Sequence, residues 1–298
     1  MDLVKIKGGA HYIPGPTNVG VYVFKNKQCL LVDNCLDNSQ AREIDDLLQQ
    51  HGLRPKYIIN THSHLDHCNG NHYFQTAYPG CQVLGHAEHR LLLENPDLLS
   101  TILFSTNPIK GIMKKAYPFI VQYLLDWGVN KINDEKFEIV SLEGHAPSQI
   151  GIVTPEKVCF LGDAIFSEEI LDKYSLPYLF DIADALDTLQ RLREIDADQF
   201  VAGHADRVYD RAELGTLIDR NLDNLHQYLR QVIELLEHPL TREDLLENLV
   251  VLNNLELSLA EYHILFSTVS AFVKYFFDRD AIEYSIADGR LYYYQKPG

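Results

Sequence analysis

The segment His62-Ser63-His64-Leu65-Asp66-His67 constrains this chain most, because it places four metal-ligating side chains within six residues. Imidazole supplies a borderline-soft nitrogen and carboxylate supplies negative charge, which are the donors that zinc and similar divalent ions bind. Side chains alternate along an extended segment, so His62 and His64 are expected to point to the same side. Asp66 and His67 are then expected to lie around a bend, where they can face a second metal ion.

Three later segments share one local pattern, in which an apolar run is followed by glycine and then by a ligand-type side chain. They are Gly144-His145 after Phe137–Leu142, Gly162-Asp163 after Val158–Leu161, and Gly203-His204 after Phe200–Ala202. Glycine allows the backbone to turn tightly where a strand ends and places the next side chain at the edge of a sheet. The pattern predicts that His145, Asp163 and His204 join the histidine-rich segment in one site.

Short β-type runs and an amphipathic helix precede this site. The runs Gly20–Phe24 and Cys29–Asp33 are predicted strands, a helix is predicted with Ser39 as its N-cap, and Tyr57–Asn60 is a buried strand that enters the histidine-rich segment. This β-β-α-β order indicates a layered α/β architecture.

The region from Glu88 to Trp127 is apolar and is predicted to be helical, with breaks at Pro96, Pro108 and Pro118. Two interpretations stay open for it: helices that pack on the core, or a lid or dimerisation element near the mouth of the site.

The last third of the chain is predicted to be mainly helical. The predicted elements are the helices Arg211–Glu237, Thr241–Leu249 and Ser258–Phe277, and a hairpin Ile282–Tyr294 that turns at Asp288-Gly289. Thr241 with Asp244 resembles a capping arrangement at a helix N-terminus.

The ordered motif H-x-H-x-D-H, then His, then Asp, then His, resembles that of the metallo-β-lactamase-fold hydrolases, over roughly Gly8 to Asp206. The resemblance implies an α+β fold, a four-layer αββα sandwich. Residues 1–210 would form the catalytic domain, with a helical insertion at about 88–127, and residues 211–298 a C-terminal helical, winged-helix-like region.

The resemblance also implies the ligand set. His62, His64 and His145 would hold one metal ion, Asp66, His67 and His204 would hold the other, and Asp163 would bridge them. True β-lactamases of this fold commonly carry Cys where this chain has Asp163, so the chain looks like the glyoxalase II, lactonase and ribonuclease Z side of the superfamily.

The chemistry implied is hydrolysis of an ester-type bond, such as a thioester or lactone, by a hydroxide that bridges two divalent ions, with Asp66 as the catalytic group that holds or relays a proton. Zinc is the default metal, with iron or manganese as alternatives. Other functions left open are a phosphodiesterase of the same fold, a mononuclear-iron oxidoreductase similar to persulfide dioxygenases, and a metal-binding module without catalysis.

Two details argue against the simplest substrate assignments. The last ligand lies in Ala202-Gly203-His204-Ala205-Asp206, whereas glyoxalase II enzymes have a Gly-His-Glu-Tyr context. From Ala205 onward the chain has nine Lys plus Arg against sixteen Asp plus Glu, so few basic residues are available to bind the carboxylates of glutathione. Homoserine-lactone hydrolases place tyrosine where this chain has Phe166, and Tyr174 is the candidate to replace it.

The charge balance and the cysteines bear on partners and location. A net charge of −16 disfavours nucleic acid, because affinity for phosphate backbones comes from Lys and Arg. Five cysteines, an odd number with no C-x-x-C pair, are typical of reduced thiols. The N-terminus lacks a signal-peptide pattern, and no apolar stretch is long enough for a membrane span. We therefore predict a cytoplasmic protein that acts on a small molecule, does not bind a membrane, and is a candidate homodimer.

Overall fold

The computed structural model describes residues 1–106, 109, 111–112 and 114–296. The predicted break at Pro108 and the last two residues of the predicted C-terminal region lie outside the described residues. Within the described residues, the first sheet has seven strands: β1 (Val4–Lys7), β2 (Ala10–Ile13), β3 (Val19–Val23), β4 (Gln28–Val32), β5 (Arg54–Ile59), β6 (Gln82–His86) and β7 (Val121–Leu125).

A second sheet faces the first. Its strands, as far as the chain is described, are β8 (Gly128–Ile132), β9 (Glu135–Ser141), β10 (Ile150–Val153), β11 (Val158–Gly162), β12 (Gln199–Ala202) and β13 (Tyr209–Asp210). They lie side by side in the order β13-β12-β11-β10-β9-β8. The remaining strands, β14 (Ile282–Ala287) and β15 (Arg290–Gln295), form a separate hairpin.

The helices lie between and after these strands. They are α1 (Asn38–Gln50), α2 (Leu65–Cys68), α3 (Asn71–Ala77), α4 (Ala87–Glu94), α5 (Asp97–Phe104), α6 (Glu168–Tyr174), α7 (Ile182–Arg191), α8 (Arg211–Leu235), α9 (Arg242–Leu252) and α10 (Leu259–Phe277). None of the helices in the described ranges is long and apolar enough to cross a membrane. All five cysteines are buried and free.

The burial pattern of β4 explains the layering. Leu30 and Val32 pack between the two sheets, whereas Cys29 and Leu31 point to the opposite face and pack against α1. Successive side chains of a strand point to opposite faces, so a strand buried on both faces is apolar at every position. On the outer face of the second sheet, helices α7 and α8 supply the matching apolar layer. The described residues thus form the predicted αββα sandwich.

Strand direction brings loops to one edge of each sheet. Strands β4, β5, β6 and β7 are parallel, and so are β11 and β12. Because the carboxyl ends of parallel strands meet at one edge, Asp33 after β4 lies near Asn60 to His67 after β5. The two sheet edges are hydrogen-bonded to each other: the Ile150 amide donates to the Thr61 carbonyl at 2.8 Å, and the Asn18 amide to the Gly203 carbonyl at 2.8 Å.

The C-terminal helices pack on the sandwich. Residues of α8, α9, α10 and β14 share an apolar cluster with Leu176, Leu179 and Ile182, which precede or begin α7. The predicted capping arrangement of Thr241 and Asp244 is present at α9, with side chain and backbone bonded in both directions. The predicted hairpin is present as well. The division at residues 210 and 211 stays a prediction.

The prediction of a helical region from 88 to 127 was wrong at Val121–Leu125. Helix α5 ends at Phe104, and Val121–Leu125 is strand β7, which pairs in parallel with β6. A short apolar run is compatible with either a buried strand or a buried helix, so periodicity alone could not separate them.

The predicted N-cap of the first helix was also wrong. Asp37, two residues before Ser39, caps α1 by accepting hydrogen bonds from the amides of Ser39 and Gln40 at 3.0 and 3.1 Å. Both residue types are good N-caps, and Asp37 has the extended backbone that the position needs.

Asp37→Ala is therefore expected to lower the free energy of unfolding by about 1 kcal/mol, because two helix amides lose their acceptor. Urea unfolding followed by circular dichroism measures the change. The matched variant Ser39→Ala, at an exposed position, should change the free energy of unfolding much less. Equal losses in the two variants would contradict the assignment of Asp37 as the cap.

Candidate metal centre

All seven predicted ligand residues come together where the two sheet edges meet. Among the described residues, two groups have the composition of a metal site, and the ligand atoms within each group lie within 4.8 Å of one another. One group is His62, His64, His145 and Asp163, and the other is Asp66, His67 and His204. The role of these residues as ligands stays a prediction, but their proximity is a property of the fold.

The bend predicted after His64 is the short helix α2. His64 is its N-cap residue, with φ −66° and ψ 143°, so the chain is extended up to His64 and helical from Leu65. Asp66 and His67 lie in the first turn of this helix, and for this reason they belong to a different group from His62 and His64.

Asp163 lies between the two groups. Its Oδ2 atom is 3.4 Å from Nε2 of His145 and 4.0 Å from Nε2 of His62. The same carboxylate contacts the second group, with Oδ2 at 3.3 Å from Nε2 of His204 and Oδ1 at 3.4 Å from Nε2 of His67. A carboxylate in this position can supply one oxygen atom to each group.

One buried carboxylate orients histidines of both groups. Asp33 accepts hydrogen bonds from the Thr61 amide at 2.7 Å, from Thr61 Oγ1 at 2.7 Å and from His67 Nδ1 at 2.9 Å. Since the Thr61 hydroxyl hydrogen is donated to Asp33, Nδ1 of His62, 3.0 Å away, donates to Thr61 Oγ1. In the neutral form of both histidines the proton is therefore on Nδ1, and Nε2 keeps a free lone pair.

Backbone carbonyls fix two further histidines in the same way. His145 Nδ1 donates to the Tyr178 carbonyl at 2.9 Å, and His204 Nδ1 donates to the Pro16 carbonyl. The freed nitrogen atoms face one another, with Nε2 of His67 3.4 Å from Nε2 of His204. Lone pairs that point at each other need a cation between them or a proton on one of them.

The pKa values of the histidines differ between the groups. Burial lowers the pKa of His62 and His145 and lowers that of His64 to about 3. Burial also acts to lower the pKa of His204, but the nearby Asp163 and Asp66 carboxylates outweigh it and raise that pKa to about 10. The carboxylates thus give the second group a negative potential that a proton or a divalent cation can balance.

Two buried polar atoms indicate that a cation fits this site. Within the described residues, His62 Nε2 and Asp163 Oδ1 are buried and have no hydrogen-bond partner. Buried polar atoms without a partner are costly, so an arrangement that keeps them needs a ligand to satisfy them. An imidazole nitrogen and a carboxylate oxygen are donors for a divalent transition metal, and the residues therefore fit one.

The glycines before the ligand residues are required for different reasons. Gly162 has φ +54°, in the left-handed region that glycine adopts at little cost. A Cβ atom at Gly203 would lie 2.1 Å from Oδ1 of Asp163 and 2.9 Å from Cε1 of His67. The turn explanation thus holds at Gly162, whereas Gly203 is needed because the backbone passes directly beside the Asp163 carboxylate.

Gly203→Ala is accordingly expected to displace Asp163, to lower metal affinity about tenfold or more, and to lower the free energy of unfolding of the metal-free protein by about 1–3 kcal/mol. A chelator competition titration and urea unfolding measure the two effects. Gly215→Ala is the matched control, since the nearest neighbouring atom to a Cβ there would be 3.9 Å away. This variant should lower neither the metal affinity nor the free energy of unfolding. Metal affinity unchanged in Gly203→Ala would contradict this account.

Sequence reasoning missed the tyrosine beside the site. The candidate Tyr174 is 40% exposed, whereas the ring centroid of Tyr178 is 5.6 Å from that of His64 and 5.5 Å from that of His145. Thr61 was missed as well, although its position directly before His62 is a usable signal. Phe166 also lies beside His145, with ring centroids 5.7 Å apart.

An αββα sandwich with a His/Asp cluster at the joined edges of its sheets defines the class of protein. The chain belongs to the metallo-beta-lactamase superfamily, whose family model matches residues 12–204. Members of this superfamily are mostly hydrolases.

Similar proteins fit this assignment. The chain is 28% identical to a hydroxyacylglutathione hydrolase of Pseudoalteromonas translucida over 217 residues, 70% of each chain. It is 24% identical over 163 residues to glyoxylase B2 of Dictyostelium discoideum, covering 49% of this chain and 51% of that protein. The chain thus spans only about half the length of some curated relatives that it matches.

One solved structure extends the likeness of the fold to almost the whole chain. A metallo-beta-lactamase family protein from Thermus thermophilus superposes with a TM-score of 0.75 over 97% of this chain and 99% of that chain, at 20% sequence identity. The C-terminal helices are therefore part of an arrangement that occurs in another protein of this fold.

Proposed function

We propose that this protein is a metal-dependent hydrolase that cleaves an ester-type bond of a small molecule, such as a thioester or lactone, with two divalent ions, zinc by preference. The observation that carries the proposal is the position of Asp163, which contacts both histidine groups and has one buried oxygen without a partner among the described residues. Relatives named hydroxyacylglutathione hydrolase support a reaction in which an acyl group is transferred to water.

In this proposal His62, His64 and His145 hold one ion, and Asp66, His67 and His204 hold the other. Asp163 contributes to both. When bound, such ions supply Lewis acidity that activates water for attack and polarises the substrate oxygen at neutral pH.

The protein residues have distinct tasks around this chemistry. Asp33 and Thr61 keep the imidazoles of His67 and His62 in the orientation that turns Nε2 toward the centre. The Asp66 side chain is 37% exposed, more than any other carboxylate of the centre, and its Oδ2 atom lies 3.3 Å from Nε2 of His204. In this proposal Asp66 holds a proton from water and releases it to a departing group, and its exposure and its position beside His204 support that role.

The experiment that tests the proposal combines elemental analysis with a substrate panel on one preparation. The panel contains a thioester, a lactone, a lactam and bis-p-nitrophenyl phosphate. We expect two equivalents of metal, and turnover of the thioester or lactone that a chelator abolishes. A preparation with both sites loaded that turns over none of these substrates would overturn the proposal and favour a metal-binding module.

The same panel separates the remaining alternatives. Preferential cleavage of the phosphodiester would indicate a phosphodiesterase, and one equivalent of iron with oxygen consumption on a persulfide would indicate a dioxygenase. A small-molecule substrate agrees with the acidic surface. The cytoplasmic location and the homodimer stay predictions.

A further inference from the structure

The peptide group between Tyr178 and Leu179 connects the proposed metal centre to helix α10. Its carbonyl accepts a hydrogen bond from Nδ1 of His145 at 2.9 Å, and its amide donates to Oγ1 of Thr268 at 3.2 Å. The peptide is planar and trans, so its C=O and N–H groups point in opposite directions. A change in the orientation of this peptide plane therefore alters both hydrogen bonds at once.

The acceptor on α10 is held in place by the helix. Thr268 is fully buried, and its hydroxyl donates its only hydrogen to the Ile264 carbonyl, one turn earlier, at 3.4 Å. A lone pair of the hydroxyl oxygen is thereby left for the Leu179 amide. Helix α10 is itself fixed by apolar packing, since Val269 and Phe272 are fully buried in a cluster shared with α8 and α9.

The Leu179 amide needs this acceptor because it is buried. Leu179 is 7% exposed, and a buried backbone amide that loses its partner is costly. A peptide without the Thr268 hydroxyl would gain by turning its amide toward water, and its carbonyl would then turn away from His145. Hydrogen bonds in series also polarise one another, so the bond at the amide strengthens the carbonyl as an acceptor.

Other contacts keep this segment near the site without fixing the orientation of that one peptide. The Asp181 amide donates to the Gly144 carbonyl at 2.9 Å, and Asp181 Oδ2 lies 3.0 Å from Nζ of Lys274 in α10. The segment should therefore stay in place when the Thr268 hydroxyl is removed. The change is then confined to how the Tyr178 carbonyl faces the imidazole.

We propose that Thr268 is a positioning residue of the metal centre, which acts through the Tyr178–Leu179 peptide to hold the His145 imidazole in its orientation toward the centre. The inference rests on the proposed function, because it needs the metal ions proposed there. It gives helix α10 a part in the site, although the last of the seven ligand residues along the chain is His204.

A chelator competition titration with zinc on the full chain tests this role. In Thr268→Val we expect one of the two metal equivalents to bind about threefold to tenfold more weakly, less than the loss of a direct partner costs, because the Tyr178 carbonyl remains. Thr268→Ser keeps the hydroxyl and should bind zinc as the wild type does. Thr268→Ala lacks the same hydroxyl and replaces Thr268→Val if that variant does not fold. Equal affinities in the variants with and without the hydroxyl would overturn the proposal.

Thr154→Val is the matched control for a general loss of stability. Thr154 is also buried and also accepts from a backbone amide, that of Val158, at 3.2 Å. It precedes the start of β11, whereas Asp163 follows the end of that strand. This variant should be destabilised to a similar extent but keep both zinc affinities. A loss of zinc affinity equal to that of Thr268→Val would overturn the proposal, since destabilisation alone would then explain it.

Nuclear magnetic resonance of the zinc-loaded protein, labelled with ¹⁵N-histidine, shows which ligand is affected. The Nδ1–H signal of His145 should shift and exchange faster with water in Thr268→Val. The Nδ1–H signals of His62 and His67, which depend on Asp33 and Thr61, should stay where they are. An unchanged His145 signal would contradict the proposed role of Thr268.

The wild-type protein provides a test without any substitution. Coupling between two sites is reciprocal, so the metal ions should also restrain the Leu179 amide. Removal of zinc should accelerate hydrogen exchange of this amide by a larger factor than that of the Leu240 amide, which donates to the Tyr293 carbonyl in the C-terminal region. Equal factors for the two amides would count against the coupling.

The zinc titration and the substrate panel together separate the two proposals. If Thr268→Val binds zinc more weakly but the wild type hydrolyses no ester, the positioning role stands and the proposed function fails. If the wild type hydrolyses esters and Thr268→Val binds zinc equally well, the positioning role fails alone. A wild-type protein that binds no metal ion would overturn both.

Discussion

Asp163→Ala is expected to remove tightly bound metal from both histidine groups and to abolish measurable hydrolysis. The Asp163 carboxylate lies within 3.4 Å of Nε2 of His145, His67 and His204, so its loss deprives both groups of an anionic donor. Losing a residue that only orients a ligand typically costs about 10–100-fold in metal affinity, and losing a shared ligand should cost more. Elemental analysis after dialysis, with turnover measured on the same sample, tests the expectation.

The control for this variant is Asp206→Ala, which removes an exposed carboxylate a few residues after His204. It should keep full metal content and full turnover, because Asp206 belongs to neither ligand group. Asp163→Ala with full metal content would show that Asp163 does not join the two groups, and the two-metal proposal would then be wrong.

Asp33→Asn is expected to lower metal affinity about 10–100-fold, although Asp33 belongs to neither ligand group. The Asp33 carboxylate accepts from both polar hydrogens of Thr61 and from Nδ1 of His67. Asparagine has a single acceptor oxygen, and its amide group would face a donor, so at least one of these bonds is lost. Competition with a chromophoric chelator measures the affinity.

The backbone does not confound this substitution. Asp33 has φ +59°, a left-handed conformation that asparagine adopts as readily as aspartate. Asp288→Asn, at an exposed residue with φ +50° in the β14–β15 turn, is the matched control and should leave metal affinity unchanged. An unchanged affinity in Asp33→Asn would mean that the hydrogen bonds of Asp33 do not determine how His67 and His62 present Nε2.

The convergence of the seven side chains could be predicted from the sequence because its determinants are local. A ligand residue after a strand and a glycine is placed by the strand end itself, and the segment from His62 to His67 contributes ligands on both sides of one bend. The fold class followed from the same motifs and from the alternation of strands and helices.

Features that depend on distant contacts could not be read from the chain. Val121–Leu125 is a strand because β6 offers it a free edge, and nothing in its own five residues distinguishes it from a helical run. Tyr178 is near the site because the segment between α6 and α7 folds back over His145, where the Tyr178 carbonyl accepts from Nδ1. Its position along the chain carries no such signal.

The hydrogen-bonded contact between the two sheet edges has a thermodynamic consequence. Each ligand group draws on both sheets: His62, His64, Asp66 and His67 follow a strand of the first, and His145, Asp163 and His204 follow strands of the second. Neither half can form a complete site before the sheets have docked. An ion bound by either group therefore favours the native state alone and adds about 2.7 kcal/mol to its stability when the free ion is at 100 times its dissociation constant. Chelation should consequently lower the melting temperature of the whole sandwich, rather than loosen only the loops that surround the ion.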